Sequence, residues 1–160
     1  MAKLFAGLTY EQAVRKYSKT VAGVCMMRLQ NTADAEDCFQ NTFVKLWTKA
    51  PRFNDEPHLQ RWLLKVAVNE CNTLLRKHKF TFSLDDVSEA PIETDSDARD
   101  ISWALMKVRA PYREVLYLHY GERYKVSEIA EILDKNPNTV KVMLKRGRDM
   151  LREIYGGDAK

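Results

Sequence analysis

Between Asn138 and Arg148 the chain concentrates side chains that can read a nucleic acid. Asn138, Thr139, Lys141, Lys145, Arg146 and Arg148 supply hydrogen-bond donors and positive charge. Val140, Leu144 and Leu151 recur on one side of the same stretch, with Val142, Met143 and Met150 near its edges. A helix that is apolar inside and rich in donors outside fits a DNA major groove. A surface helix with a solvated basic face has the same pattern, so both readings stand on this stretch alone. Chemistry of other kinds is not indicated, because no nucleophile–base pair, metal cluster or phosphate-cradling glycine loop is found. His58, His78 and His119 are scattered, and Cys25, Cys38 and Cys71 are an odd number at unrelated spacings. Each cysteine falls on an apolar helical face, which reads as buried reduced thiols in a cytoplasmic protein. No enzyme activity, cofactor or metal is expected.

The residues before this helix must hold it in place. Ser127 offers a hydroxyl N-cap to a short helix whose apolar face is Ile129, Ala130 and Leu133. Asp134 and Lys135 fall at the turn, and Asp accepts a left-handed backbone better than most residues. Asn136 and Pro137 restart a helix, one as cap and one where no N–H is needed. Upstream, Asp97 or Asp100 starts a helix with Ile101, Leu105 and Val108 inward. Pro111 starts another, which Gly121 closes. Both read as the core for a helix-turn-helix. Y-R-E-V-L, Y-K-V-S-E-I-A-E-I-L, N-T-V-K and L-K-R-G-R resemble the promoter-reading domain of bacterial RNA polymerase sigma factors of the extracytoplasmic-function (ECF) type. The resemblance implies that the six donors enter the major groove at the promoter −35 element. Asp134 stands where that family often has Gly. Val142 and Met143 stand where Ser and Arg are common, which removes one usual contact.

Three further helices read from the N-terminal half. Thr9 and Gln12 have capping-box spacing for a helix from Thr9 to Leu29, with Tyr10, Val14, Tyr17, Val21 and Val24 or Cys25 inward. Asn31 and Thr32 offer caps to a second, which runs to about Lys49. Its inner stripe is Ala35, Cys38, Phe39, Thr42, Phe43 and Leu46 or Trp47. Asp34, Glu36 and Asp37 lie in its first turn, where the helix dipole favours carboxylates, and that alone accounts for them. D-A-E-D-C-F-Q-N-T-F is also similar to the sigma segment that docks on the clamp coiled coil of the polymerase. That similarity implies a polymerase-binding set of Asp34, Glu36, Asp37, Gln40 and Asn41. Asn41 replaces the family's Glu and removes one charge.

Pro51 and Asn54 mark a loop from Lys49 to Asp55. In ECF sigma factors the loop here receives an unstacked promoter base, and Arg52, Phe53 and Asn54 offer the aromatic wall and donors that capture needs. Pro57 opens a third helix to about Lys79 with Leu59, Leu63, Val66, Ala67, Leu74 and Leu75 as core. Its W-L…N…L-L-R run resembles the sigma segment that melts and reads the −10 element. With the loop, the implied −10 set is Arg52, Phe53, Asn54, Arg61, Trp62, Lys65, Asn69, Arg76 and Lys77. Trp62 also has core spacing, and Thr73 stands where the family has Asp.

From Phe80 to Asp100 the chain is acidic, Ser-rich and without a period, which reads as a tether. Fully extended it spans roughly 70 Å, and as a coil about 25 Å. In the family this linker threads the polymerase channel. With 45% hydrophobic and 30% charged residues, wholesale disorder is excluded. The net charge of +4 fits a nucleic-acid partner. No apolar run is long enough to span a membrane, and no signal peptide is recognised. The expected architecture is all-α: residues 1–79 as sigma region 2, 80–96 as linker and 97–160 as sigma region 4 with its helix-turn-helix. An ECF-type sigma factor binds core RNA polymerase and promoter DNA. It is expected to be cytoplasmic and monomeric when free, and in this family an anti-sigma factor is a common further partner. A stand-alone helix-turn-helix regulator would need a dimerisation helix, and none is found. An enzyme acting on nucleic acid would need clustered carboxylates or histidines beside the basic helix.

Overall fold

A computed structural model describes residues 3–81 and 104–158. The tether from residue 82 onward, Asp97, Asp100 and Ile101 lie outside the described residues. The chain divides into two compact units, Met1–Ser88 and Glu89–Lys160, and the named elements of both are helical.

The first unit packs three helices pairwise: α1 (Tyr10–Leu29), α2 (Thr32–Lys49) and α3 (Glu56–Thr81). Thr9 and Gln12 cap α1 reciprocally: Gln12 N donates to Thr9 Oγ1 at 3.2 Å and Thr9 N to Gln12 Oε1 at 2.9 Å. Asn31 caps α2, its Oδ1 accepting from Asp34 N at 3.0 Å. The start of α3 is set by Asp55, whose Oδ1 accepts from His58 N at 2.9 Å, so Glu56 and Pro57 lie in the first turn. At its other end α3 continues to Thr81, two residues into the segment read as tether. No Gly or Pro stands there to stop it.

Val21, Val24 and Cys25 of α1, Ala35, Cys38 and Leu46 of α2, and Leu59, Leu63 and Ala67 of α3 form the core of this unit. Leu46 points in and Trp47 out. Tyr10, Val14, Val66, Leu74 and Leu75 are only half-buried, while Leu64, Val68 and Cys71 are fully inside. α3 is covered by α1 and α2 together, so its buried arc is wider than one stripe. All three cysteines are free and buried. A hydrogen bond with Cys71 and burial push the Cys38 thiol far above its ordinary range, which keeps it protonated and unreactive.

Glu56 ties the start of α3 to α1, accepting from Lys16 Nζ at 2.5 Å and Tyr17 Oη at 2.9 Å. The Lys16 bond first, and then Tyr17, hold its carboxyl below the usual range. A carboxyl depressed by folding stabilises above its unfolded pKa, and that contribution fades as pH falls through the folded value. Glu56→Gln should therefore flatten the loss of stability below the ordinary Glu value of about 4.3. Urea midpoints across acidic pH read this, and an unchanged acid limb contradicts it.

The second unit comprises a helical turn at 104–107, α4 (Ala110–Leu116), a π-helical segment Tyr117–Gly121, α5 (Val126–Leu133) and α6 (Pro137–Asp158). Gly121 does not close its helix with a left-handed turn; Arg123 takes that conformation at φ 62°. The turn is made by bonds back into the π segment. Glu122 N donates to Tyr117 O at 3.1 Å, and Tyr124 N to Leu118 O at 3.0 Å. Nor does Ser127 cap α5. Lys125 is the cap residue, extended at φ −71° and ψ 158°, and its N–H donates to Glu128 Oε1 at 3.0 Å. That bond satisfies the same end of the helix and leaves Ser127 exposed inside it. Asp134 is left-handed at φ 54°, as the turn requires, and Asn136 Oδ1 accepts from Asn138 N at 2.8 Å to start α6. Ile129, Ala130, Ile132 and Leu133 are buried with Val140 and Leu144. At Gly147 the backbone of α6 runs so close to α4 that a Cβ would lie 2.9 Å from Leu116 Cδ1.

Candidate polymerase and promoter interfaces

On α6 the buried face carries Val140, Leu144 and Gly147, and Asn138, Thr139, Lys141, Lys145 and Arg146 are exposed. Arg148, expected outside with them, is half-buried, and its Nη1 donates to Tyr120 Oη at 3.1 Å. The π segment delivers that tyrosine. Val142, expected near the inner edge, is 48% exposed. At about 100° per residue it stands roughly 160° around the axis from both Val140 and Leu144. It therefore lies at the centre of the outer face, between Asn138 and Arg146.

On α3 the same spacing aligns Trp62, Lys65, Asn69 and Arg76 on one stripe opposite Ala67 and Cys71, with Arg61 and Lys77 at its flanks. Asn69, Arg76 and Lys77 are exposed, and Arg61, Trp62 and Lys65 half-buried. The loop joins this stripe. Phe53 packs edge-on against Trp62 with centroids 5.6 Å apart and against His58 at 5.3 Å. Asn54 N donates to His58 Nδ1 at 3.1 Å. The expected −10 residues thus share one surface, which from His58 to Arg76 runs about 27 Å along the helix. Trp62 serves both the packing of Phe53 and the surface. Beside the loop lies a cavity of about 380 Å³ lined by Lys3, Phe5, Pro51, Arg52 and Phe53 among others. Its N-terminal wall had no signature in the sequence, because a single turn closed by the Phe5–Leu8 bridge has no periodicity.

On α2 Glu36, Asp37, Gln40 and Asn41 are exposed. Asp34 is different: half-buried, it turns its Oδ2 to within 3.9 Å of His78 Nδ1 on α3. The face continues beyond Gln40 through Val44, 56% exposed, and Trp47, 51% exposed. Their spacing from Gln40, four and seven residues, places them on its strip. That spacing was available in the sequence, but Trp47 also fitted the inner stripe, and Val44 was assigned to neither face. Trp47 is held by Tyr10, ring to ring at 5.1 Å, and its carbonyl accepts from Lys3 Nζ at 2.8 Å.

Residues 13–81 match the sigma-70 region 2 family and residues 99–151 match sigma-70 region 4. The chain belongs to the sigma-70 family, in its ECF group. As a sigma factor it directs core RNA polymerase to promoters in transcription initiation. Both N-terminal surfaces fall within region 2 and the α6 surface within region 4. The sigma factor is 26% identical over 156 residues to the ECF RNA polymerase sigma factor SigW of Bacillus subtilis, covering 86% of this chain and 83% of that protein. It is 26% identical to the RNA polymerase sigma factor CarQ of Myxococcus xanthus, covering 92% and 89%. Its fold is similar to that of the sigma factor RpoE from Bartonella quintana, solved with the anti-sigma factor NepR. The TM-score there is 0.73 at 22% identity, over 92% of this chain and 96% of the other. Among the described residues no helix is long and apolar enough to cross a membrane, and no group of three His, Cys, Asp or Glu could hold a metal ion.

Proposed function

We propose that three surfaces divide the work of initiation. The strip of Glu36, Asp37, Gln40, Asn41, Val44 and Trp47 on α2 docks on core polymerase. The α3 stripe and its loop take the −10 element, with Trp62, Lys65, Asn69, Arg76 and the flanking Arg61 and Lys77 along the separated strand. Single strands are held by cations that follow phosphates and by rings that stack bases, and this stripe has both. An unstacked base enters the cavity beside Arg52, Phe53 and Asn54, whose volume lies in the range of small-ligand pockets. The α6 face takes the −35 element, with Asn138, Thr139 and Lys141 nearest the bases and Lys145, Arg146 and Arg148 on phosphates. The observation that carries this assignment is that the helical members of each set fall on one face of one helix, opposite that helix's core residues.

The protein works in the cytoplasm, performs no catalysis itself and is a monomer when free. RpoE was solved with NepR, and CnrH with the cytosolic domain of CnrY. We infer that this chain, too, is bound by an anti-sigma factor.

Docking is tested by the pair Asp37→Ala with Gln40→Ala, and separately by Val44→Asp. All three side chains are exposed, so the melting temperature should hardly move. Affinity for core polymerase should fall about tenfold or more, equivalent to about 1.4 kcal/mol. Undiminished affinity in both variants removes the assignment of α2.

A further inference from the structure

An exposed valine at the centre of a cationic, groove-sized helix face is an anomaly that polarity alone does not explain. Val142 is 48% exposed. On one side of it stand Asn138 and Lys145, on the other Thr139 and Arg146, all exposed. Val142 is also near the start of α6, only a turn and a half in from Pro137. Residues at the leading end of a recognition helix reach base edges, and later ones meet phosphates. A valine there can donate no hydrogen bond, so it cannot read the acceptors of guanine or adenine. The one apolar feature on the major-groove floor is the C5-methyl of thymine.

We propose that Val142 is a specificity residue that packs against a thymine methyl in the −35 element. This rests on the assignment of α6 to that element. The cations around Val142 fix what covers it. Lys145 and Arg146, exposed beside it, would be left against an apolar protein partner without counter-charges, whereas two DNA backbones supply phosphates on both sides of the groove. Packing two methyl groups away from water also accounts for their cost on an otherwise polar face.

The test compares thymine with uracil, which differ only in that methyl. The holoenzyme of full-length protein and core polymerase selects −35 elements from a randomised duplex library. Each thymine of the selected element is then replaced singly by deoxyuridine and affinity is measured. One position should lose about three- to fourfold, the fold-change for one buried methyl. Val142→Ala should lose a similar factor on the thymine duplex and show no thymine–uracil difference at that position. Val142→Thr, which keeps one methyl, should keep part of it. If no position is sensitive, or if Val142→Ala discriminates as well as the original, the proposal is wrong. Lys145→Ala in parallel separates the two levels: if it too leaves binding unchanged, the assignment of α6 itself has failed.

Discussion

Gly147→Val should strip the second unit of most of its stability while leaving the first intact. A Cβ at that position would lie 2.9 Å from Leu116 Cδ1 and 3.0 Å from Leu116 Cγ. Leu116 is 1% exposed and cannot swing clear. A helical glycine normally weakens its helix by about 1 kcal/mol against alanine. Here overpacking works in the opposite direction by about 1–3 kcal/mol, and a branched side chain adds to it. For Gly147→Ala the two effects nearly offset, so that variant should differ little. For Gly147→Val the steric cost wins, and a small domain with about 5 kcal/mol in total loses a large share of it. Hydrogen exchange should show peptides of α4 to α6 losing protection and peptides of α1 to α3 keeping theirs. Equal protection in α6 before and after would mean that α6 does not rest on α4 at Gly147.

The second large effect concerns DNA. Lys141→Ala should cost roughly 1–3 kcal/mol on the preferred −35 sequence and less on scrambled ones, as loss of a base contact does. Lys145→Ala should weaken binding about equally on all sequences and lower the salt slope by about one. Both side chains are exposed, so neither change should disturb the fold. Titrations of the holoenzyme on matched and scrambled duplexes at several salt concentrations distinguish them. Equal losses for both variants on both duplexes would reduce the face to an unspecific cationic patch.

Much of this was legible in the sequence. The reciprocal Thr9–Gln12 cap, the Asn31 cap and the Asn136–Pro137 restart each depend on a side chain whose chemistry admits few other roles. The left-handed Asp134 follows from a turn too tight for a right-handed residue. Where the reading failed, two chemistries could satisfy one demand. The orphan N–H at the start of α5 is met by Glu128 reaching back, although a hydroxyl stands two residues from the cap. The turn after the π segment is held by backbone bonds and a left-handed Arg123, although a glycine was at hand. The π segment has no signature in residue type, since its wider i→i−5 bond suits the same side chains as an α-helix.

The sites show the same division. Polar positions such as Asn138, Lys141 and Asn69 were expected on outer faces, and all three are exposed. The exposure of Val142, Val44 and Trp47 was not expected, because an apolar side chain does not announce an outer face until its angular position is fixed. Asp34 was placed outside by the resemblance of its segment and Arg148 by its charge. The structure gives each a protein neighbour, His78 for one and Tyr120 for the other, from segments distant in sequence. Arg148 is thus oriented by Tyr120, and Asp34 faces His78, whereas Asp37 is exposed.

This chain should confer promoter choice on core polymerase through the outer face of α6. Run-off transcription from a randomised promoter library, with core polymerase and the full-length protein, tests it most directly. Initiation should depend on the protein, and the selected templates should share both a −10 and a −35 element. The pair Asn138→Ala with Lys141→Ala should relax the −35 element while leaving the −10 element intact. Initiation that is equally frequent without the protein, or an unchanged −35 element in the variant, would contradict the account.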